Sequence, residues 1–261
     1  MPTYAVLGAT GSTGSAILRC LLSKSPKHLT LNIFVRSGSK LLKAFPDLES
    51  TTAFTINIIE CLPSDTAAMQ ECLKDVDVVM ACIGSNHSTP GMTLIYDTAT
   101  AIIDSLEVRR KTQGSAYKPP TIIQLRSSSL NPILKAKLPW LAQQAAPFCF
   151  YYAYADLDRA CKLFASSAAG SSGLLTYVFI DPPSIHDADG TTPTGYRLIL
   201  DETQAPALSY ADLGAAFCEV AERRDEFVGK AVGVTATGPV NHTVGTLVGY
   251  MAVGVKGRIW G

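Results

Sequence analysis

The sequence has no excess of either charge: 22 lysines and arginines face 22 aspartates and glutamates, and charged residues make up only 17% of the chain. That balance speaks against the basic stripe by which proteins neutralise nucleic-acid phosphates, so no nucleic-acid partner is expected. Long apolar runs are missing as well. The longest reach about ten residues, roughly half of what a helix needs to span a bilayer, and no membrane association is expected. A first strand beginning at Tyr4 leaves no room for a leader peptide. Cytoplasmic residence is the default expectation.

Paired cysteine spacing is also lacking. The seven cysteines stand at positions 20, 61, 72, 82, 149, 161 and 218, with no C-x-x-C among them. An odd count without a framework reads as buried thiols in a reducing compartment. The four histidines (His28, His87, His186 and His242) include no pair at ligand spacing, so no metal is expected. What the chain does have is 47% hydrophobic residues over 261 positions, enough for one large α/β domain. That domain is expected to cover 1–261, with a small substrate-side portion at about 182–261.

Strand and helix signals alternate from the start, the pattern of a parallel sheet covered on both faces. Strands are expected at residues 4–8, 31–35, 54–59, 76–83, 121–125 and 174–180, the fourth almost wholly apolar. Between them, Ile17, Leu18, Leu21 and Leu22 give a first helix its buried face. Leu94, Ile95, Ile102, Ile103 and Leu106 do so for a long helix ending near Arg110, and Tyr154, Leu157, Cys161 and Phe164 for one over about 152–167. Asp65 and Ser209-x-x-Asp212 read as helix starts. Residues 130–147, with Trp140 among prolines and lysines, read as a flap, and 168–173 as a small-residue loop. The expected fold is a Rossmann-type, doubly wound parallel sheet of order 3-2-1-4-5-6, with room for a seventh strand near 231–234.

Gly8-Ala9-Thr10-Gly11-Ser12-Thr13-Gly14 follows the first strand directly and opens the first helix. In that context G-x-x-G-x-x-G is a dinucleotide signal. Gly8 allows the sharp turn, Gly11 lets backbone approach a pyrophosphate, and Gly14 lets helix pack on strand. The helix N-terminus offers N–H groups to the phosphates, and Thr10, Ser12 and Thr13 add donors. Gly84, ending the fourth strand, belongs to the same rim. After the second strand stands Arg36-Ser37-Gly38-Ser39-Lys40. A carboxylate there would suit the ribose hydroxyls of NAD, whereas an arginine suits a 2′-phosphate. Arg36 and Lys40 therefore point to NADP(H), the plainer alternative for Arg36 being a solvated surface arginine.

With these residues in place, the chain resembles the atypical short-chain dehydrogenases, the NmrA-like NAD(P)-binding branch in particular. The likeness rests on the glycine turn, on Val76-Asp77-Val78-Val79 leading to Ile83-Gly84, on Ser209-Tyr210-Ala211-Asp212-Leu213-Gly214, and on Phe227-Val228-Gly229-Lys230-Ala231-Val232. In overall pattern it is similar to the fungal tailoring oxidoreductases of aromatic polyketide pathways (aflatoxin, anthraquinone and xanthone types). The resemblance implies an NADP-dependent oxidoreductase.

The chain departs from the superfamily at the catalytic pair. A standard member carries Tyr-x-x-x-Lys, the lysine depressing the tyrosine pKa. Here Tyr151, Tyr152 and Tyr154 are followed four residues on by Ala155, Asp156 and Asp158, and Lys162 lies one turn beyond Asp158. Asp181-Pro182 stands where Arg-Pro is usual, and Leu62 where an aspartate is. The remaining candidates are a serine at 127, 128 or 129, with Ser128 the residue chosen, acting with a tyrosine, Tyr151 or Tyr154, to polarise a carbonyl. His87 in the loop after the fourth strand is a candidate acid or base, though a loop histidine is more often solvated. Tyr154 also reads as a core residue, with Tyr151 nearer the cleft.

The expected function is an NADP(H)-dependent oxidoreductase acting on a carbonyl, quinone or enone of a small aromatic, polyketide-like substrate, as part of secondary metabolism. Two alternatives stay open: a non-redox isomerase, dehydratase or cyclase on the same scaffold, and a non-catalytic NADP-binding redox sensor. An oligomer is compatible with each.

Overall fold

The computed structural model describes residues 1–85, 88–138, 140–170, 173–187, 190–240, 251, 252 and 255. The first half runs β1 (Thr3–Leu7), α1 (Ser12–Lys24), β2 (Thr30–Val35), α2 (Gly38–Ala44), β3 (Thr55–Glu60), α3 (Thr66–Cys72), β4 (Val78–Ala81) and α4 (Leu94–Gln113). The second runs β5 (Thr121–Leu125), α5 (Pro132–Ala136), α6 (Trp140–Cys149), α7 (Tyr151–Ala169), β6 (Thr176–Asp181), β7 (Ser184–His186), β8 (Tyr196–Ile199), β9 (Ala207–Ser209), α8 (Tyr210–Glu222), α9 (Arg224–Phe227) and β10 (Ala231–Ala236).

Eight strands form one sheet in the order β3-β2-β1-β4-β5-β6-β10-β8. The expected order 3-2-1-4-5-6 is present, and β10 is the seventh strand, pairing parallel with β6. An eighth was not foreseen. β8 lies antiparallel on β10, so the sheet is mixed at one edge, as in many doubly wound folds. A separate two-stranded ribbon pairs β7 with β9.

Alternation along each strand feeds two cores. Tyr4 and Val6 of β1 and Val78 and Met80 of β4 join Ile17, Leu18, Leu213 and Phe217 on one face. Ala5, Leu7, Val79 and Ala81 join Met69, Ile102, Leu157 and Phe164 on the other. β4 is buried at every position because helices cover both its faces.

Helix starts follow their caps. Asp65 accepts from Ala68 N at 2.9 Å and opens α3. Ser209 accepts from Asp212 N at 3.0 Å and opens α8. Asp212 in turn accepts from Thr194 N at 2.9 Å and Gly195 N at 3.1 Å, so one carboxylate ties α8 to the approach of β8. A short helix, α2, was not foreseen; Ser37 caps it, accepting from Lys40 N at 3.2 Å.

The 130–147 segment is helical rather than a loose flap. Asn131 caps α5 by accepting from Ile133 N and Leu134 N at 3.0 and 3.3 Å, and Pro132 takes the first helical position, where its missing N–H costs nothing. Trp140 opens α6 and stands 72% exposed. Leu94, expected inward, is partly exposed because it is the first residue of α4, ahead of the turn that meets the sheet.

Candidate functional site

All the strands that run in the direction of β1 end on one edge of the sheet, where β1 hands over to α1 and where such folds bind ligands. Gly8 makes the turn there with φ +93°, and a Cβ on it would lie 2.9 Å from the Cys82 carbonyl oxygen. Gly11 N donates to Gly8 O at 2.9 Å, closing the loop. Gly14 packs so tightly that a Cβ would sit 2.3 Å from Gly8 O. Thr10 and Ser12 are half-buried at the rim and Thr13 is buried beneath it.

These residues fit a pyrophosphate. Gly11, at the cap position of α1, has no side chain to satisfy the first-turn N–H groups, which leaves them and the helix dipole for an anion. An added Cβ on Gly11 would meet only Gly8 O at 3.3 Å, so its bareness matters outward, toward the ligand side. Gly84 is exposed just beyond β4, with open space where its Cβ would be.

Arg36 is exposed at the end of β2, and Lys40 is exposed on α2. Beside them stands a carboxylate from outside β2. Glu60, at the end of the neighbouring β3, accepts from Gly38 N at 2.9 Å. Its carboxylate fills the space over Gly38, 2.7 Å from where a Cβ would stand.

The hydroxyl candidates converge in one pair. Tyr154 Oη lies 3.0 Å from Ser127 Oγ, and Ser127 Oγ also accepts from Ser129 N at 3.3 Å. Burial pushes the Tyr154 phenol above its ordinary value, and the hydrogen bonds from Ser127 and Ser129 only partly oppose this. The phenol therefore keeps its proton at neutral pH. Ser128 is buried and its N donates to Pro182 O at 3.0 Å, which pins the loop to the end of β6. Tyr151 is half-exposed, its ring edge-on to Tyr152 at 5.2 Å. His87 lies outside the described residues.

Asp156 occupies the place where Tyr152 would have a lysine. It is 1% exposed and accepts from Ile95 N at 2.8 Å and Tyr96 N at 3.1 Å, capping α4. Ser88, on the approach to α4, returns the contact by accepting from Tyr152 N and Ala153 N at 3.2 and 3.4 Å. The N-terminal turns of these two parallel helices thus cap each other. Lys162 pairs with Asp158 at 2.6 Å on the exposed face of α7, away from any tyrosine hydroxyl pair.

Under the serine loop lies a buried ion pair. Arg126 donates through Nε and Nη2 to the two oxygens of Asp181 at 2.6 and 2.5 Å, and Asn131 Nδ2 adds a third bond to Asp181 at 2.8 Å. Arg126 also lies over the Phe179 ring, 4.8 Å from its centre. The Asp181-Pro182 departure is thereby explained: the cation comes from the end of β5 instead of β6. A cavity of about 510 Å³ lined by Tyr196, Glu202, Glu219 and Arg223 is no rival site. It lies at β8 and α8, where Arg197 pairs with Glu202 and Glu219 with both Arg223 and Tyr196.

Comparison with known proteins agrees with this geometry. Residues 8–224 match the family described as NAD(P)H-binding. The chain belongs to that family. It is 50% identical over 263 residues to averufin oxidase A of Dothistroma septosporum, spanning 99% of this chain and 92% of the relative. It is 46% identical over 274 residues to averufin oxidase stcO of Emericella nidulans, spanning 99% and 90%. Among solved structures, a short-chain dehydrogenase/reductase of Veillonella parvula superposes with TM-score 0.67 at 16% identity, covering 92% of this chain and 99% of that one. The last likeness carries the fold alone. The chain is thus an NAD(P)H-binding oxidoreductase of the short-chain dehydrogenase, NmrA-like type. Among the described residues no helix is long and apolar enough to cross a membrane, and no cluster of three or more histidines, cysteines or carboxylates could hold a metal ion.

Proposed function

We propose that this protein is an NADP(H)-dependent oxidoreductase that acts on a carbonyl, quinone or enone of an averufin-like aromatic polyketide, in secondary metabolism and in the cytoplasm. The observation that carries the reading is the Tyr154–Ser127 pair at the sheet edge that also bears the phosphate turn. Residues 11–14 would hold the pyrophosphate, and Arg36 with Lys40 the 2′-phosphate. The whole chain, 1–261, acts as one unit, with the portion from about 182 on the substrate side. The averufin oxidases, similar over almost all of this chain, support the substrate class.

A dinucleotide held by residues 11–14, Arg36 and Lys40 would supply hydride-transfer chemistry. The protein's part is to hold the substrate oxygen. Tyr154, Ser127 and the adjoining Ser129 form one hydroxyl cluster, and a hydroxyl proton of that cluster would be turned to the substrate oxygen. That proton hydrogen-bonds the substrate oxygen as its charge changes. With no lysine to ionise it and burial holding it neutral, Tyr154 works as a hydrogen-bond donor, not as a standing phenolate. Orientation over the cofactor supplies the larger share of the rate. The test is nicotinamide absorbance with averufin-like aromatic polyketides, run with oxidised and reduced cofactor. Substrate conversion with no absorbance change in either direction would place the enzyme among non-redox isomerases or cyclases instead.

A further inference from the structure

Helices α1 and α8 meet along a ladder of residues four apart. At the first rung a Cβ on Gly214 would lie 2.5 Å from the Ala16 carbonyl carbon and 2.8 Å from its Cβ, so the two backbones touch. One turn on, Cys20 and Cys218 are neighbours across the contact, and Cys218 Sγ donates to the Ile17 carbonyl oxygen at 3.9 Å. A further turn on, Lys24 Nζ and Glu222 Oε1 are 3.1 Å apart. The contact follows the i±4 ridge of both helices, so the same two faces meet at each rung.

We propose that Cys20 and Cys218 form a reversible dithiol–disulfide site, with Cys20 the sulfur that attacks a peroxide. Backbones in contact one turn earlier bring the two Cα atoms toward the separation a disulfide needs, about 4.4–6.8 Å. The charges are also suited to it. The adjoining Cys218 thiol favours the Cys20 thiolate, burial opposes ionisation, and the Lys24 cation favours it; the balance brings Cys20 down to about 7. Cys218 is held well above the usual thiol range by the same contact and by burial. Glu222, Tyr196 and Tyr4 complete the titratable groups around the pair. By contrast burial pushes Cys72 and Cys161 up to about 12, and the Asp65 carboxylate raises Cys61. A low-lying, half-buried thiolate beside a second thiol is the arrangement that oxidises selectively.

The chemistry balances with hydrogen peroxide as oxidant. The Cys20 thiolate attacks one peroxide oxygen, the O–O bond breaks, and the departing hydroxide takes a proton to leave as water. Cys20 is then a sulfenic acid. The Cys218 sulfur attacks it, losing its proton; the S–S bond forms, the S–O bond breaks, and a second water leaves. Two thiols are oxidised and one peroxide is reduced. A dithiol reductant reverses the change.

Peptide mapping of the folded full-length chain after brief hydrogen peroxide treatment tests this. The expected result is a Cys20–Cys218 cross-linked peptide, loss of two of the seven thiols, and their recovery with dithiothreitol. Cys20 found as sulfinic acid beside a free Cys218, or the seven cysteines oxidised without preference, overturns the proposal. A second measurement is the pH dependence of Cys20 alkylation by iodoacetamide. Its midpoint should lie near 7 and rise toward the ordinary thiol range in Cys218→Ala and, less so, in Lys24→Met. A midpoint unmoved by both substitutions overturns the assignment of Cys20 as the attacking sulfur.

Discussion

Arg126 and Asp181 face each other side-on at the ends of adjacent strands, their two parallel hydrogen bonds forming a fork buried under the serine loop. A pair of this kind contributes little over an apolar substitute, but losing one member leaves a charge stranded. Arg126→Met or Asp181→Leu alone should lower stability by about 3–5 kcal/mol. The double variant should recover part of that loss, Asn131 remaining without its acceptor. Urea unfolding of the three variants decides; a double variant as unstable as the two singles added together would contradict this account.

The phosphate turn predicts two different failures for two glycines. Gly14→Ala should unfold the protein or weaken it severely, since the new Cβ would meet backbone at 2.3 Å. Gly11→Val meets only Gly8 O, at 3.3 Å, a contact that a small shift relieves, and should stay folded while losing cofactor affinity by about a hundredfold, roughly 3 kcal/mol. Circular dichroism and cofactor titration on the same samples separate the two. Normal NADP(H) binding by folded Gly11→Val would mean that the turn is only structural.

Cofactor choice rests on Arg36. Arg36→Asp should cost NADP(H) binding about 1.5–3 kcal/mol, roughly ten- to a hundredfold, and leave NAD(H) nearly unchanged. Glu60, held on Gly38 N next to this position, sets a second expectation. Glu60→Gln removes a negative charge near the phosphate site and should tighten NADP(H) modestly. Fluorescence titrations of both cofactors check the pair, and equal losses for the two in Arg36→Asp would remove that residue from the phosphate site.

Tyr154 supplies the pH prediction. Its folded-state value lies above the ordinary 10.0, so the phenol is neutral throughout the neutral range and its protonated form is lost only as pH rises past that value. The contribution of this neutral phenol to stability should likewise be present below about 10 and disappear above it. The pH–rate profile should then show no Tyr154 step between about 7 and 9. Tyr154→Phe and Ser127→Ala should each slow single-turnover hydride transfer about ten- to a hundredfold, with Tyr151→Phe and Ser128→Ala near wild type. A loss beyond about a thousandfold, roughly 4 kcal/mol, in Tyr154→Phe would show a proton relay in place of positioning.

Restoring the missing spacing should do harm. Asp156→Lys rebuilds Tyr152-x-x-x-Lys, yet it removes the acceptor for Ile95 N and Tyr96 N and sets a buried cation at the positive end of α4. Asp156→Ala should cost about 0.5–2 kcal/mol as a lost cap, and the lysine variant clearly more. Thermal unfolding ranks the two. A stable lysine variant with raised activity would mean that the carboxylate is no structural cap.

The doubly wound core was legible because each of its signals is local: a glycine turn between strand and helix, an apolar β4, caps at Asp65 and Ser209. Strand β8 was not, since its four residues, Tyr196–Ile199, are too short a stretch to mark a strand and owe their place to pairing with β10. The same distinction divides the site. Residues 8–14 announce themselves in sequence, whereas Ser127 could not be told from Ser128 and Ser129 until Tyr154 was seen 3.0 Å away. Asp156 could be read only as an absent lysine, because the N–H groups it caps lie about sixty positions earlier. Glu60 is not legible from the end of β2, because only the register with β3 brings it there. The acidic residue at the end of a third strand is a signal that could have flagged it.

The contact of Gly214 with Ala16 has a consequence for biosynthesis. Helix α1, whose first turn forms the phosphate cradle, has its principal partner about two hundred residues downstream. During translation α1 emerges early, with Ile17, Leu18 and Leu21 facing a surface that Leu213 and Phe217 have yet to cover. Long-range contacts of this kind form late and leave apolar surface open meanwhile. A ribosome-bound chain ending before residue 210 therefore carries the whole glycine signature and still lacks the wall against which that helix must be set.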